Sequence, residues 1–445
     1  MNKHRVWTVG ALVALLVGLL VIPSTAQTLI YDSCFQIQNL SATQASVTID
    51  YYAQGNATPV ASPSDTIPAN GSKTYCPLSA VSSGFNGSVV ISSDQPVAAI
   101  ANVTGASWGA FNASYAGFSG GATSVNVPLL MKGNYGYNTW FNVQNVGGGT
   151  ASVTVNYSDG TNKAASIPPN TAYTFDQSNE THSKTTFAAT VTSNEPVVVT
   201  VMEVGPAMLF GYDGFTSGSP DPVMPLVQAN NYGYTTGIQV QNTGGSQTTV
   251  TLTYTPSSAG SSCTQTKSIP AGGSETFAIQ AWAPSDGNAD NNCPNGGTFV
   301  GSAQVTTNSG GGDLVAIVNQ QNFGANKGAA YGAFSPASAS AKVVMPLIND
   351  RNYGYFTGFN VVNVGSQTTT VNCTFSNSTY TTGATLTSGA AFTAVQANQI
   401  GNAYVGSAVC TATGGDQSII GVVNQVNTSG SSDTFLVYEA FNVSP

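Results

Sequence analysis

One block of sequence recurs four times along this 445-residue chain and constrains its fold more than any other feature. It reads FQIQNLSATQASVTIDY from Phe35, FNVQNVGGGTASVTVNY from Phe141, IQVQNTGGSQTTVTLTY from Ile238 and FNVVNVGSQTTTVNCTF from Phe359. The step from the turn asparagine (Asn39, Asn145, Asn242, Asn363) to the closing aromatic (Tyr51, Tyr157, Tyr254, Phe375) is 12 positions in every copy. Farther on, an aromatic (Tyr75, Phe175, Phe277) follows an Ile-Pro pair, and the fourth copy is degenerate there from Leu386. Each copy ends on Tyr-x-x-Phe, at Tyr115, Tyr212, Tyr331 and Tyr438. The turn asparagines stand 106, 97 and 121 positions apart. That is too long for a solenoid repeat of about 20–45 residues, and it suits a self-sufficient domain of about 100. The expected units are 27–120, 124–218, 221–337 (with an insertion) and 342–445.

Within a unit the pattern is β. Val153, Val155 and Tyr157 alternate with Thr154 and Asn156, giving one dry and one wet face. Pro196 to Val201 is a β-branched run of the kind buried on both sides. Clusters of Gly, Asn, Ser and Pro separate such runs, and the second copy counts about seven strands by this pattern. No helical period appears after the first residues. The expectation is an all-β chain: four tandem immunoglobulin-like antiparallel β-sandwich domains after an N-terminal signal peptide, set end to end as a rod.

Residues 1–26 have the parts of a secretory leader: Lys3, His4 and Arg5, then apolar Ala11 to Ile22, then Ser24-Thr25-Ala26 before Gln27. An uncleaved N-terminal anchor is the alternative, although the apolar run falls short of the roughly 20 residues that span a bilayer. No later segment approaches that length, so no membrane span is expected after cleavage. Localisation outside the cell or on its surface follows. Ten Lys plus Arg against 19 Asp plus Glu give −9; losing Lys3 and Arg5 leaves 8 against 19, or −11. Such a chain has little with which to displace counterions from nucleic acid, which is excluded as a partner.

Six cysteines in an exported chain invite pairing. Cys373 takes the place of Ile49, Val155 and Leu252, and Cys410 that of Ile91, Val191 and Val305. Two core columns exchanged for Cys in one copy predict a bridge across that sandwich core. Cys34 and Cys76 fall together in copy one, as a peripheral bridge. Cys263 and Cys293 fall together in copy three, clipping its insertion. Metal-binding thiolates are the alternative, against which stands the absence of any Cys-x-x-Cys.

These features resemble bacterial secreted and cell-surface proteins made of tandem immunoglobulin-like β-sandwich repeats. The residues that carry the likeness are the Val-Gln-Asn-x-Gly turn, the Ile-Pro segment, and the strands Gly301 to Val305 and Val315 to Asn319. The resemblance covers 27–445 and implies a fold. It supplies no catalytic residue.

Chemistry is sparse. His182 is the one histidine beyond the leader, in a polar stretch that reads as a solvated loop, and the acids read as scattered over loops. No enzyme is expected. Asp286, Asn288 and Asp290 alternate like the start of a Ca²⁺ loop, but Asn291 stands where that loop needs Gly and Gly297 where it needs Glu. Ca²⁺ is the sole cofactor entertained, and a plain polar insertion is the competing reading. Asn-Tyr-Gly-Tyr occurs three times, carrying Tyr135 and Tyr137, Tyr232 and Tyr234, Tyr353 and Tyr355, each after a Pro-Leu pair. These tyrosines suit either stacking on sugar rings or packing at the joints between units. Copy one has no such segment ahead of it and copy four none after it, so one of the two is short of a strand. An open sheet edge accepts strands from elsewhere. The function expected is that of a non-enzymatic extracellular structural or cell-surface repeat protein. Its partner would be itself, assembling head-to-tail or laterally into a sheath or filament. The alternative is an adhesin or carbohydrate-binding protein, with surface polysaccharide as partner and the tyrosines or Trp282 as its platform.

Overall fold

The turn asparagines act first. Asn39, Asn145, Asn242 and Asn363 are fully buried. Each donates from Nδ2 to the carbonyl four residues on at 2.7 Å and to the end of a distant strand at Ile67, Ile167, Ile269 or Leu386. Each also accepts an N–H two residues on. One side chain thus closes a turn and ties two sheets together, satisfying buried backbone groups that would otherwise cost about 1–3 kcal/mol each.

A computed structural model describes residues 31–105, 111–278, 281–283, 290–308, 312–429 and 432–443. The chain there is all-β, with antiparallel pairing throughout, and its sheets fall into four successive quarters. The first quarter holds β1 (Tyr31–Asn39), β2 (Ala45–Ala53), β3 (Ser64–Ile67), β4 (Ser72–Tyr75), β5 (Gly87–Ser93), β6 (Val97–Gly105) and β7 (Phe111–Ala116). Its sheets are β4-β1-β6-β7 and β3-β2-β5.

The second holds β8 (Ala122–Met131), β9 (Asn138–Asn145), β10 (Ala151–Tyr157), β11 (Asn162–Ile167), β12 (Ala172–Asp176), β13 (Thr186–Val204) and β14 (Leu209–Asp213). β13 runs through both layers. Its first half pairs with β10 and β8, its second half with β9 and β14.

The third holds β15 (Val223–Ala229), β16 (Thr235–Asn242), β17 (Thr248–Ala259), β18 (Cys263–Ile269), β19 (Ser274–Phe277), β20 (Asp290–Asn291), β21 (Phe299–Thr307), β22 (Leu314–Asn322) and β23 (Lys327–Gly332). Its sheets are β15-β21-β17-β18-β20 and β19-β16-β22-β23. The fourth holds β24 (Lys342–Asp350), β25 (Tyr355–Asn363), β26 (Thr369–Phe375), β27 (Thr381–Leu386), β28 (Ala391–Val395), β29 (Tyr404–Thr413), β30 (Ile419–Asn427), β31 (Phe435–Glu439) and β32 (Phe441–Val443). Its sheets are β27-β26-β29-β24-β32 and β28-β25-β30-β31.

The Pro-Leu strands β8, β15 and β24 complete the quarters they begin. Tyr212, Tyr331 and Tyr438 each donate a hydroxyl hydrogen bond to the carbonyl of the leucine after the proline (Leu129, Leu226, Leu347) and accept that leucine's N–H. Among the described residues the first quarter has no counterpart of these strands, and there β5 pairs with β2 alone.

The quarters do not form a rod. Ile317 and Ala330 of the third lie in the core of the second, Val422 and Val437 of the fourth in the core of the third, and Ile100 of the first in the core of the fourth. Val103 and Ala113 of the first pack against Met202 and Leu209 of the second. The last strands, β7, β14, β23 and β31, each touch the next, and β31 touches β7. A head-to-tail interface that closes after four turns makes a ring. The physical reason is that Ile100, Ile317 and Val422, at equivalent places on β6, β22 and β30, need an apolar cover. A rod would leave one of them in water.

The disulfides join Cys34 to Cys76, Cys263 to Cys293 and Cys373 to Cys410. The third departs from expectation in placement. Cys373 and Cys410 face each other on neighbouring strands β26 and β29 of one sheet, so the bridge staples a sheet and does not cross between two. Inward-facing residues on adjacent strands point the same way, and Cα atoms 4.0 Å apart are close enough to be joined.

Candidate functional site

The densest chemistry lies where the four quarters meet. Asp433, just ahead of β31, is fully buried. Its carboxyl accepts the N–H of Leu209 at 2.8 Å from the second quarter and that of Gly328 at 3.0 Å from the third. Its carbonyl accepts from the Asn112 side chain of the first. All four quarters therefore converge on one residue. Lys327 is buried beside it, donating to the Ser432 carbonyl and the Thr434 hydroxyl.

Burial pushes the Asp433 carboxyl up to about 8, against the pull of the Gly328, Leu209 and Phe435 N–H groups and the Lys327 charge. Burial likewise lowers the Lys327 ammonium, opposed by Asp433.

At the other end of the axial strands, Ala116, Asp213, Gly332 and Glu439 hold equivalent positions. Asp213 accepts the N–H of Ala116 at 3.0 Å, and Glu439 accepts the N–H of Gly332. Each acid thus binds the backbone of the preceding quarter. Desolvation raises both above the ordinary carboxyl range, and the mutual repulsion of two acids raises Asp213 further. Between the ends, Glu203 is fully buried, accepts from Asn319 Nδ2 of the third quarter at 2.7 Å, and is pushed up to about 8 by burial.

Such close approach needs small residues. A Cβ on Gly328 would lie 2.5 Å from the Phe210 ring, and one on Gly332 3.0 Å from Phe215. Chemically, this junction is a set of carboxyls that burial raises above their ordinary range and that bridge strands of different quarters. Among the described residues no three His, Cys, Asp or Glu stand together as a metal site.

In the sequence these acids read as loop acids and do not stand out as site residues. Glu203, Asp213 and Glu439 lie on strands. A signal was present: Glu203 closes the apolar run Val197 to Met202, and Glu439 follows Phe435 to Tyr438.

His182 also differs from expectation. Its side chain is fully covered, stacked on Phe187 and set edge-on to Tyr157, with Nδ1 3.1 Å from Asp159. Burial would raise the Asp159 carboxyl, but hydrogen bonds from Thr161, Ser183 and His182 hold it down to about 2. Trp282 is buried among Tyr254 and Phe299, not presented as a platform.

Asp286 and Asn288 lie outside the described residues; the backbone of Asp290 pairs with Thr266 in β18. The tyrosine motif divides. Tyr135, Tyr232 and Tyr353 are 93%, 94% and 91% exposed, so these three do not pack at joints. Each holds a left-handed φ of 49° ahead of a glycine at about 85°, the two-residue hairpin turn that brings Asn and the second Tyr together. The second tyrosines, Tyr137, Tyr234 and Tyr355, are half-buried; Tyr137 lies against Phe210 of its own quarter, and Tyr234 reaches across a joint onto Phe435 of the fourth.

No family model matches this chain, and no curated protein matches it. Three disulfides mark an oxidising, extracytoplasmic setting. No helix among the described residues is long and apolar enough to cross a membrane.

Proposed function

We propose that the protein is a non-enzymatic structural component of a bacterial surface, exported by its leader and serving as a compact block in an extracellular layer. The convergence of four quarters on Asp433 supports this reading best. Among the described residues, the buried acids Glu203, Asp213, Asp433 and Glu439 and the three disulfides hold strands to one another. A surface with few Lys and Arg offers trypsin-like proteases few sites. Electron microscopy of native cells with the protein labelled tests the reading: label in an ordered surface layer supports it, and label confined to the cell interior contradicts it.

A second reading, an adhesin for surface polysaccharide, is favoured by Tyr135, Tyr232 and Tyr353, large aromatics held in water at three equivalent turns. Binding to a glycan panel, lost when the three become Ala, would establish it.

A further inference from the structure

Among the described residues, one sheet edge of the ring is left unpaired. β13, β21 and β29 are each flanked by a Pro-Leu strand, while β5, their counterpart in the first quarter, has β2 on one side only. Three sets of side chains register the gap. Val89 and Ile91 on β5 are half-buried, whereas Ala189 and Val191, Ala303 and Val305, and Ala408 and Cys410 are at most 2% exposed. Across the junction, Asn142 and Gln144 of β9 are half-buried, whereas their counterparts Gln36 and Gln38, Gln239 and Gln241, and Asn360 and Val362 are at most 4% exposed. Tyr115 is half-buried, whereas Tyr212, Tyr331 and Tyr438 are buried on a leucine that has no counterpart among the described residues of the first quarter.

We infer that the slot between β5 and β9 receives a β-strand from a second polypeptide. The complete quarters specify its chemistry: an extended apolar segment bearing an apolar-Pro-Leu-apolar sequence, as in Val127 to Leu130, Met224 to Val227 and Met345 to Ile348. In all three the register shifts at the Pro-Leu pair, so the guest strand carries the same bulge. Its inner side chains cover Val89, Ile91 and Tyr115, and its outer edge meets Asn142, at the place where Gln36 donates to the Pro346 carbonyl.

On the reading that the leader is cut after Ala26, Thr28 to Tyr31 align in sequence with Asn134 to Tyr137, and no Pro-Leu pair stands between the cut and β1. The inference rests on the reading of an exported structural protein and adds the means by which it is joined to a neighbour, by strand addition.

The test uses the mature chain, 27–445, and a fluorescent peptide of residues 122–131. Anisotropy should show one saturable site, absent for a scrambled peptide and weakened at least tenfold by Ile91→Asp. Hydrogen exchange should show β5 amides exchanging faster than those of β21 and β29 in the free chain and slowing with peptide. That second measurement needs no variant. No binding, or β5 amides already slow without peptide, overturns the inference. A chain that binds the peptide yet is absent from the cell surface removes the structural reading instead.

Discussion

The Asp433 carboxyl accepts the backbone N–H of Leu209 at 2.8 Å, joining residues 224 positions apart. The same group holds Gly328, so one side chain satisfies two buried donors on two other quarters. Asp433→Ala strands both, at about 1–3 kcal/mol for each orphaned group. Urea denaturation should show a loss of roughly 2–4 kcal/mol, and Asp433→Asn, which keeps an acceptor, a smaller loss. Equal stability of Asp433→Ala and wild type would contradict this role.

Stability should fall as pH rises from mild acid to weak base. In the unfolded chain Asp and Glu ionise near pH 4, but in the folded chain Glu203 and Asp433 keep their protons up to about 8. The stabilisation present below about pH 4 is therefore lost progressively towards pH 8. Asp159, held down to about 2, acts the other way and loses its contribution as pH falls towards that value. The melting temperature should be higher at pH 5 than at pH 8, and Glu203→Gln should flatten the difference. A melting temperature that rises from pH 5 to pH 8 would contradict it.

The exposed tyrosines cost stability. At φ 49° a residue with a Cβ is strained, by about 1–2 kcal/mol. Tyr353→Gly buries nothing less and removes that strain, so thermal unfolding should show a gain of up to about 1 kcal/mol. A loss of similar size would mean that the ring makes stabilising contacts.

The Cys373–Cys410 bridge closes 37 positions, worth roughly 4 kcal/mol on the chain-entropy argument. Replacing both by Val restores the aliphatic pair that Val155 and Val191 make in the second quarter. Calorimetry should then show a loss of about 2–4 kcal/mol, without loss of β circular dichroism. No loss would place the stabilisation elsewhere.

How far the sequence could be read depended on the range of the interaction. Alternation along Ala151 to Tyr157 marks β10 because its cause lies within the strand. The cysteine pairs were legible because each falls within one copy, although their place in a single sheet was not, since strand neighbours are set by topology. Ile100, Ile317 and Val422 look like ordinary core residues in a one-dimensional pattern. Only the three-dimensional arrangement shows that each lies in the core of an adjoining quarter. Asp433 carries no local mark at all, because its partners are 105 and 224 positions away. The burial of His182 is hidden for a related reason: a polar stretch can still fold its imidazole under, onto Phe187.

Closure of the ring rests on the fourth quarter docking onto the first. Small-angle scattering from the mature chain in dilute solution measures that most directly. A closed ring of this length should have a radius of gyration of about 22 Å, the compact value. A value near twice that, with the long-tailed distance distribution of four bodies in line, would contradict closure.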